Sequence, residues 1–230
     1  MQFSGFQKLT LLDYPEKTAC TLFTAGCNFR CPFCHNAALV THIDNSHFFT
    51  EEYVLDYLKK RKGIIDGVCI TGGEPLMQPE LTEFIKKVKE IGLLVKLDTN
   101  GSYPERLGKL IDSGLIDYVA MDIKNCKAKY FETAVCGEKD LQNVEKSIAL
   151  LKQGKIDYEF RTTVVKEYHT VDDIKQICEW IAPVNKYFLQ NFTDSGDLIK
   201  NNLSAHSRET LEFMRSAAQD MIPNVEIRGI

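Results

Sequence analysis

The sequence predicts an α/β fold in which a parallel sheet forms a partial (β/α)6 barrel. Short β-branched and aromatic runs alternate with longer helical patterns, and six such units fit into 230 residues without a break in composition. This alternation implies parallel pairing with right-handed crossovers. A closed eight-fold barrel usually takes about 250 residues, so six units favour an open barrel. We expect one domain over residues 1–230.

Each element is predicted from its own local pattern. Short apolar runs predict strands at 18–23, 67–71, 93–98, 118–121, 158–165 and 186–191. Amphipathic patterns predict helices at 51–61, 79–91, 104–113, 140–153, 171–181 and 207–219. Thr50 precedes two acidic residues, as an N-cap should. Pro79 and Pro104 suit a first helical turn, and Gly92 follows a last turn. The segments expected to be mobile loops are 41–50 and 191–207.

Composition and charge restrict the class of protein. The chain is 44% hydrophobic and 26% charged, which is ordinary for a globular domain. Its net charge of −4 offers no broad basic field for nucleic acid. No apolar run approaches the ~18 residues of a membrane-spanning helix, and the first residues lack the pattern of a secretory signal. We therefore expect a cytoplasmic protein with no nucleic-acid or membrane partner.

Three of the eight cysteines stand together after the first predicted strand. Cys27, Cys31 and Cys34 have the spacing C-x₃-C-x₂-C, and thiolates of this kind bind zinc or iron–sulfur clusters. Structural zinc commonly takes four ligands in two pairs, but no second pair follows, and His35 would be cramped as a fourth ligand. The spacing therefore favours a [4Fe–4S] cluster that leaves one iron open, with zinc as the alternative. The remaining cysteines are predicted to be structural: Cys20, Cys69, Cys126, Cys136 and Cys178.

The cysteine motif also carries a family resemblance. With Phe33 directly before its last cysteine, it resembles the radical S-adenosylmethionine (SAM) superfamily. Further landmarks follow the predicted strands at 72–75 (Gly-Gly-Glu-Pro), 98–101 (Asp-Thr-Asn-Gly), 121–124 (Met-Asp-Ile-Lys) and 161–165 (Arg-Thr-Thr-Val-Val). Together with 5–8 (Gly-Phe-Gln-Lys) and 13–15 (Asp-Tyr-Pro), they resemble the activating enzymes of glycyl radical proteins. The most similar branch is the anaerobic ribonucleoside-triphosphate reductase activating protein.

This resemblance implies an activity, two cofactors and two partners. A reduced [4Fe–4S] cluster would cleave SAM to methionine and a 5′-deoxyadenosyl radical, which abstracts hydrogen from a glycine Cα of a partner enzyme. The partner implied is a glycyl radical enzyme, with anaerobic ribonucleotide reductase as the first candidate. The electron donor implied is a flavodoxin or a ferredoxin. A short chain adds few segments around the barrel and leaves its mouth open, so a loop of a partner protein could enter. The same opening also suits small molecules.

The resemblance assigns roles to residues of the cysteine motif and of the turn after the second predicted strand. Cys27, Cys31 and Cys34 would hold the cluster, and Phe33 would pack beside it and the SAM adenine. His35 would shape the same site or serve as a structural histidine. The glycines would let the backbone approach SAM, whose amino group the turn meets in the family: Gly72 and Gly73. Glu74, in the same turn, is a further candidate for the SAM site, or it would cap or brace the turn.

Four further residues at strand ends are candidates. Asp98 would join Thr99 in a monovalent cation site near the SAM carboxylate, although an Asx-type turn also fits the sequence. Asp122 and Lys124 share one face of their strand, where Lys124 would neutralise SAM or simply pair with Asp122. Arg161 stands in an apolar strand, so it should meet an anionic ligand or a buried acid.

Two departures from the family pattern limit this transfer. Glu16 follows the Asp-Tyr-Pro motif where related chains often have glycine. Some activators have a SAM-contacting histidine after the sixth strand, where this chain reads Leu-Gln-Asn-Phe at 189–192. The equivalent contact must come from another residue, for which Gln190 is the candidate, or be absent.

Other functions remain open at this point. The first alternative is a radical SAM enzyme that acts on a small molecule such as a nucleobase precursor. The second is a zinc-stabilised interaction module without catalysis. The third is an electron carrier, which would leave the landmarks at 72–75 and 98–101 without a purpose.

Overall fold

A computed structural model describes residues 1–43 and 48–229. Its main sheet has eight strands in the order β10-β9-β8-β7-β6-β5-β3-β2. The strands are β1 (Gln2–Phe3), β2 (Gly5–Thr10), β3 (Ala19–Thr24), β4 (Phe49–Thr50), β5 (Gly67–Gly72), β6 (Leu94–Thr99), β7 (Tyr118–Asp122), β8 (Asp157–Val164), β9 (Tyr187–Asn191) and β10 (Val225–Arg228). From β3 to β10 all pairings in this sheet are parallel, and β2 alone pairs antiparallel, with β3.

Helices connect the parallel strands. They are α1 (Ala37–Thr41), α2 (Glu51–Lys60), α3 (Leu81–Ile91), α4 (Pro104–Asp112), α5 (Tyr130–Ala134), α6 (Glu138–Leu151), α7 (Val171–Ile181) and α8 (Arg208–Gln219). The α/β prediction with a parallel sheet is confirmed, and all six predicted strands and six predicted helices are present within two residues of their predicted ends. Thr50 accepts a hydrogen bond from Tyr53 N as the N-cap of α2, and Gly92 ends α3 with φ of 92°.

The prediction of six strands was incomplete. The structure adds β2 and β10 as the two edges of the main sheet, and β1 and β4 as a separate antiparallel pair. These strands are short and their exposed positions are polar or mixed, so they lack the continuous apolar pattern of a strand buried on both faces. The sheet is therefore an incomplete barrel with seven parallel strands, because no pairing joins β2 to β10 within the described ranges.

The two predicted loops differ in outcome. Within 41–50, residues 44–47 lie outside the described residues, and Phe49–Thr50 forms β4. The segment after β9 is irregular until Ser207 caps α8. Its irregular structure agrees with a loop, and its mobility stays a prediction. In the part of the chain that the structure describes, no helix is long and apolar enough to cross a membrane.

Candidate functional site

The loop after β3 carries the three clustered cysteines to the carboxyl end of the sheet. Gly26 takes φ of 82°, the left-handed region that favours glycine, and its N–H donates to Leu39 O at 2.8 Å. Cys34 N donates to Cys31 O at 3.0 Å, which turns the loop back on itself. As a result, Cys27, Cys31 and Cys34 all line one cavity of about 230 Å³, here called the cysteine cavity.

The cysteine cavity gathers nearly all of the predicted residues. Each predicted site residue except Glu74 lines it, and so do Thr99 and Gln190. The residues come from the ends of β3, β5, β6, β7, β8 and β9 or from the turns after them. Parallel strands bring their carboxyl ends to one edge of a sheet, which explains why distant parts of the sequence meet there.

The two glycines after β5 allow two backbone segments to pack closely. A Cβ atom on Gly73 would lie 1.9 Å from Gly26 O, and one on Gly72 would lie 2.5 Å from Thr24 N. Neither distance is possible for a real side chain. Gly72 and Gly73 are therefore required by the approach of the turn to the cysteine loop, in addition to their position on the cavity wall.

Unlike the other candidates for the SAM site, Glu74 does not line the cavity. It lies behind the cavity wall and braces the turn, which is the alternative role expected from the sequence. Its Oε1 accepts hydrogen bonds from Leu76 N at 3.0 Å and from Thr99 Oγ1 at 2.9 Å. Its Oε2 accepts one from Asn100 N at 2.7 Å. Burial raises the pKa of Glu74 to about 7, although these donors oppose the rise.

Charged side chains alternate in sign along the wall formed by β6, β7 and β8. Arg161 donates to Asp122 Oδ1 at 2.9 Å and to Asp98 Oδ2 at 3.2 Å. Lys124 donates to Asp122 Oδ2 at 2.9 Å. Burial opposes the ionisation of Asp122, but Arg161 and Lys124 outweigh it and lower its pKa to about 2. Arg161 therefore meets two acids, as one of the two expectations for it required, although both are partly rather than fully buried.

Lys96 completes this wall and was missed by the sequence analysis. It is buried on β6, pairs with Asp98 Oδ1, and lies 3.8 Å from Cys69 Sγ. Burial disfavours the Asp98 carboxylate, yet Arg161 and Lys96 together hold the pKa of Asp98 below its usual range. A lysine inside an otherwise apolar strand is the signal that could have revealed it, as it did for Arg161.

Phe33 and His35 are held in different ways. Phe33 is buried, with its ring 5.9 Å from that of Tyr168 and 6.0 Å from that of His169. His35 Nε2 lies 2.8 Å from Thr193 O, and its ring stacks on Phe192. These contacts anchor the His35 ring to the segment after β9, which agrees with a structural role.

The Asx-type turn expected at Asn100 is present and extends towards the cysteines. Ser102 N donates to Asn100 Oδ1 at 2.9 Å. The Asn100 amide reaches Asn28 Oδ1 at 3.0 Å and lies 3.7 Å from Cys27 Sγ. The turn after β6 therefore contacts the cysteine loop directly.

Thiolates select two kinds of metal centre, zinc ions and iron–sulfur clusters, which place different demands on the donor set. A zinc ion needs its sulfur ligands about 2.3 Å from one point, and among residues 1–43 and 48–229 no three His, Cys, Asp or Glu side chains are grouped to hold one metal ion. The cysteines instead surround a cavity, which suits a larger group that holds its thiolates apart. Burial raises the pKa of Cys27 to about 11 and of Cys31 to about 12, so a positively charged group is needed there to stabilise thiolates. The site fits an iron–sulfur cluster better than zinc.

Comparison with known proteins identifies the family. A family model described as the radical SAM superfamily matches residues 21–181, which include the cysteine loop and the strand ends that line the cavity. The chain belongs to the radical SAM superfamily. Membership implies an enzyme that holds a [4Fe–4S] cluster and binds SAM.

Individual relatives extend this result. A Methanocaldococcus jannaschii protein, provisionally named a glycyl-radical enzyme activating enzyme, is 34% identical over 99% of this chain and 95% of its own length. GTP 3′,8-cyclase of Helicobacter pylori is 31% identical over 68% of this chain, but this covers only 49% of the cyclase. The SAM-bound structure of Streptococcus suis SuiB superposes on 90% of this chain and 49% of SuiB, with a TM-score of 0.69 at 17% identity. This last similarity concerns the radical SAM fold alone.

Proposed function

We propose that this radical SAM enzyme generates a glycyl radical on a partner enzyme, and that anaerobic ribonucleoside-triphosphate reductase is that partner. The observation that carries the proposal is the full-length similarity to the Methanocaldococcus jannaschii protein, because it spans 99% of one chain and 95% of the other. The similarity to GTP 3′,8-cyclase leaves about half of that enzyme unmatched.

The cysteine cavity offers a place for both cofactors. Cys27, Cys31 and Cys34 would hold the cluster, and three protein ligands leave one iron for SAM. When bound and reduced, the cluster supplies the electron that cleaves SAM to methionine and a 5′-deoxyadenosyl radical. The protein binds and orients the reactants and excludes water from them. Buried Phe33 provides an apolar wall that helps to exclude water.

The charged wall would orient SAM. Lys124 is 18% exposed at its side chain and lines the cavity, so its ammonium group can meet the SAM carboxylate while Asp122 holds it in place. Gln190 on β9 and the Gly72–Gly73 backbone at the end of β5 would contact other polar groups of SAM. A monovalent cation beside Asp98 and Thr99 is also proposed, and it would share Asp98 with Lys96 and Arg161, which pair with the two Asp98 oxygens.

The charges of the cavity also bear on the small-molecule alternative. A nucleoside triphosphate needs cations that are free to pair with its phosphates. Among the described residues that line the cysteine cavity, Lys124 and Arg161 are the basic ones. Lys124 would be occupied by the SAM carboxylate, and Arg161 is held by two carboxylates, those of Asp98 and Asp122. This arrangement favours a substrate that has no phosphate groups, such as a protein segment.

The test is direct formation of the protein radical. Reconstituted enzyme would be reduced by flavodoxin or ferredoxin, the electron donors we propose, and mixed anaerobically with SAM and purified anaerobic ribonucleotide reductase. We expect a glycine-centred doublet in the electron paramagnetic resonance spectrum of the reductase, and none with the Cys31→Ala enzyme. SAM cleavage that needs GTP or another small molecule and leaves the reductase without a radical would contradict the proposal.

A further inference from the structure

A side-chain donor reaches the cysteine motif from the turn after β6. The Asn100 amide nitrogen lies 3.7 Å from Cys27 Sγ, and because a sulfur atom is larger than an oxygen atom, this distance allows an N–H···S hydrogen bond. Among the described residues, Asn100 is the only one whose side chain donates to a sulfur of Cys27, Cys31 or Cys34. The contact bears on the chemistry of the site because Cys27 is a proposed cluster ligand.

The orientation of the Asn100 amide is fixed by its neighbours. Its Oδ1 accepts hydrogen bonds from Ser102 N at 2.9 Å and from Ser102 Oγ at 2.6 Å. One hydrogen of its Nδ2 goes to Asn28 Oδ1 at 3.0 Å, which leaves the second for Cys27 Sγ. Turning the amide by 180° would set its oxygen against Asn28 Oδ1 and its nitrogen against Ser102 N. The donor end of the amide therefore faces the sulfur.

The neighbours of Asn100 are held in place in turn. Asn28 Nδ2 donates to Asp140 Oδ1 at 3.1 Å, and because a carboxylate only accepts, Asn28 Oδ1 points the other way, towards Asn100. The backbone of Asn100 is fixed by the hydrogen bond from its N–H to Glu74 Oε2 at 2.7 Å. Asn100 is only 6% exposed, so water competes little for its amide. These contacts preorganise the N–H group next to Cys27.

An N–H group beside a ligand sulfur changes how readily an iron–sulfur cluster is reduced. The added electron increases the negative charge on the thiolates, so the N–H dipole stabilises the reduced state more than the oxidised state. Hydrogen bonds to the sulfurs are for this reason among the factors that set the reduction potential of such clusters. Loss of the Asn100 N–H should therefore make the cluster harder to reduce.

We propose that Asn100 is a positioning residue that acts through Cys27 and raises the reduction potential of the [4Fe–4S] cluster. The inference rests on the proposed role of Cys27 as a cluster ligand, and it does not depend on which partner enzyme receives the radical. A higher potential lets a flavodoxin or a ferredoxin reduce a larger fraction of the enzyme. The turn after β6 thus has a role in electron transfer in addition to its structural contacts.

The test compares the midpoint potentials of reconstituted variants in redox titrations followed by electron paramagnetic resonance. In Asn100→Ser the hydroxyl can still accept from Ser102 N, so the turn is kept while the amide N–H is lost. We expect a potential more negative by at least about 28 mV, which is a threefold change in the reduction equilibrium at about 59 mV per tenfold. Asn100→Asp keeps the turn but sets a carboxylate oxygen near Cys27, so its potential should fall further.

Asn143→Ser is the matched control for these variants. The Asn143 amide donates to Ser102 O at 3.0 Å, and in the described part of the chain it forms no hydrogen bond with a cysteine. Its potential should equal that of the wild type. Thermal unfolding and iron content of each variant check that the fold and the cluster are intact. Equal potentials of wild type and Asn100→Ser, a rise in Asn100→Asp, or an equal shift in Asn143→Ser would overturn the inference.

The rate of SAM cleavage adds a second readout. With flavodoxin as the electron donor, Asn100→Ser should cleave SAM at least about threefold more slowly than the wild type. An excess of a stronger reductant, titanium(III) citrate, should restore the wild-type rate. A purely structural role would lower both rates alike and would contradict the inference. Failure of the proposed function looks different: the potentials shift as expected, but the wild type forms no glycyl radical on the reductase.

Discussion

Asn100 donates its backbone N–H to Glu74 Oε2 at 2.7 Å, and this bond joins the turn after β5 to the turn after β6. Glu74 is fully buried and makes no ion pair in the described part of the chain. The same Asn100 extends its amide towards Cys27 Sγ. Glu74 therefore fixes a loop that touches the cysteine motif, although it does not line the cavity itself.

The buried carboxyl of Glu74 makes stability depend on pH. Its pKa is raised from 4.5 to about 7 by burial, so the folded state holds the proton more tightly than the unfolded state. The contribution of Glu74 to the free energy of unfolding is therefore fully present below pH 4.5. About 3 kcal/mol of it is lost as pH rises through 7. Glu74→Gln cannot titrate at this position, so the variant does not lose this stability as pH rises. The excess of the wild-type unfolding free energy over that of the variant should therefore shrink from pH 5 to pH 8. Urea unfolding of the two proteins before cluster reconstitution measures it.

His169 provides a reason to measure that difference rather than the wild type alone. Burial lowers the pKa of His169 to about 4, so its contribution to stability is lost as pH falls below 6.5. This slope opposes that of Glu74, but it is present in both proteins and cancels. A difference that stays constant over the pH range would show that Glu74 titrates normally.

Removal of Lys96 should destabilise the fold more than removal of a surface lysine. Lys96→Met leaves Asp98, whose side chain is 13% exposed, with only Arg161 as a cationic partner, and breaking such a largely buried pair costs about 3 kcal/mol. Lys155→Met breaks the exposed pair with Asp112, where the loss should stay below about 1 kcal/mol. Urea unfolding of both variants checks this, and equal losses would argue against a buried ion pair at Asp98.

Of the eight cysteines, only the three of the cysteine motif should be needed for cluster binding. Cys31→Ala should abolish cluster binding and SAM cleavage, because two thiolates cannot replace three. Cys136 lies outside the cysteine cavity, so Cys136→Ala should retain both. Iron and sulfide analysis of the anaerobically reconstituted variants measures the outcome, with about four irons and four sulfides expected per intact site. If Cys31→Ala still cleaves SAM at a comparable rate, the ligand assignment is wrong.

Lys124 should contribute to SAM affinity through its charge. Lys124→Met removes the ammonium group from the cavity, and we expect SAM to bind at least about tenfold more weakly in equilibrium dialysis. Lys127 lies three residues further on, is half exposed and pairs with Glu145, so Lys127→Met is the matched control. Equal SAM affinity of the two variants would remove Lys124 from the binding site.

The sequence predicted the site better than the edges of the fold. Cys27 follows a buried strand, and Gly72 and Asp98 lie at the carboxyl ends of two others, so the rule that strand ends converge was enough to bring them together. The same reasoning identified Arg161 but overlooked Lys96, although both are charges in apolar strands. Strands β2 and β10 depend on tertiary pairing, which short alternating segments do not reveal.

Two local details are explained only by the folded structure. Gly73 is required by its contact with Gly26 O, which a sequence cannot show because the two residues belong to different turns. Glu16 stands where related chains often have glycine, and its φ of 60° lies in the left-handed region that favours glycine. The departure noted in the sequence thus falls on a residue whose backbone conformation suits glycine.

The most direct test of the central claim follows the hydrogen atom. Anaerobic ribonucleotide reductase would be produced with deuterium at its glycine Cα positions and incubated with the reduced enzyme and SAM. Mass spectrometry should find one deuterium in the 5′-deoxyadenosine formed, together with a glycyl radical on the reductase. If 5′-deoxyadenosine forms without deuterium while the reductase stays radical-free, the enzyme takes its hydrogen from another substrate and the account is contradicted.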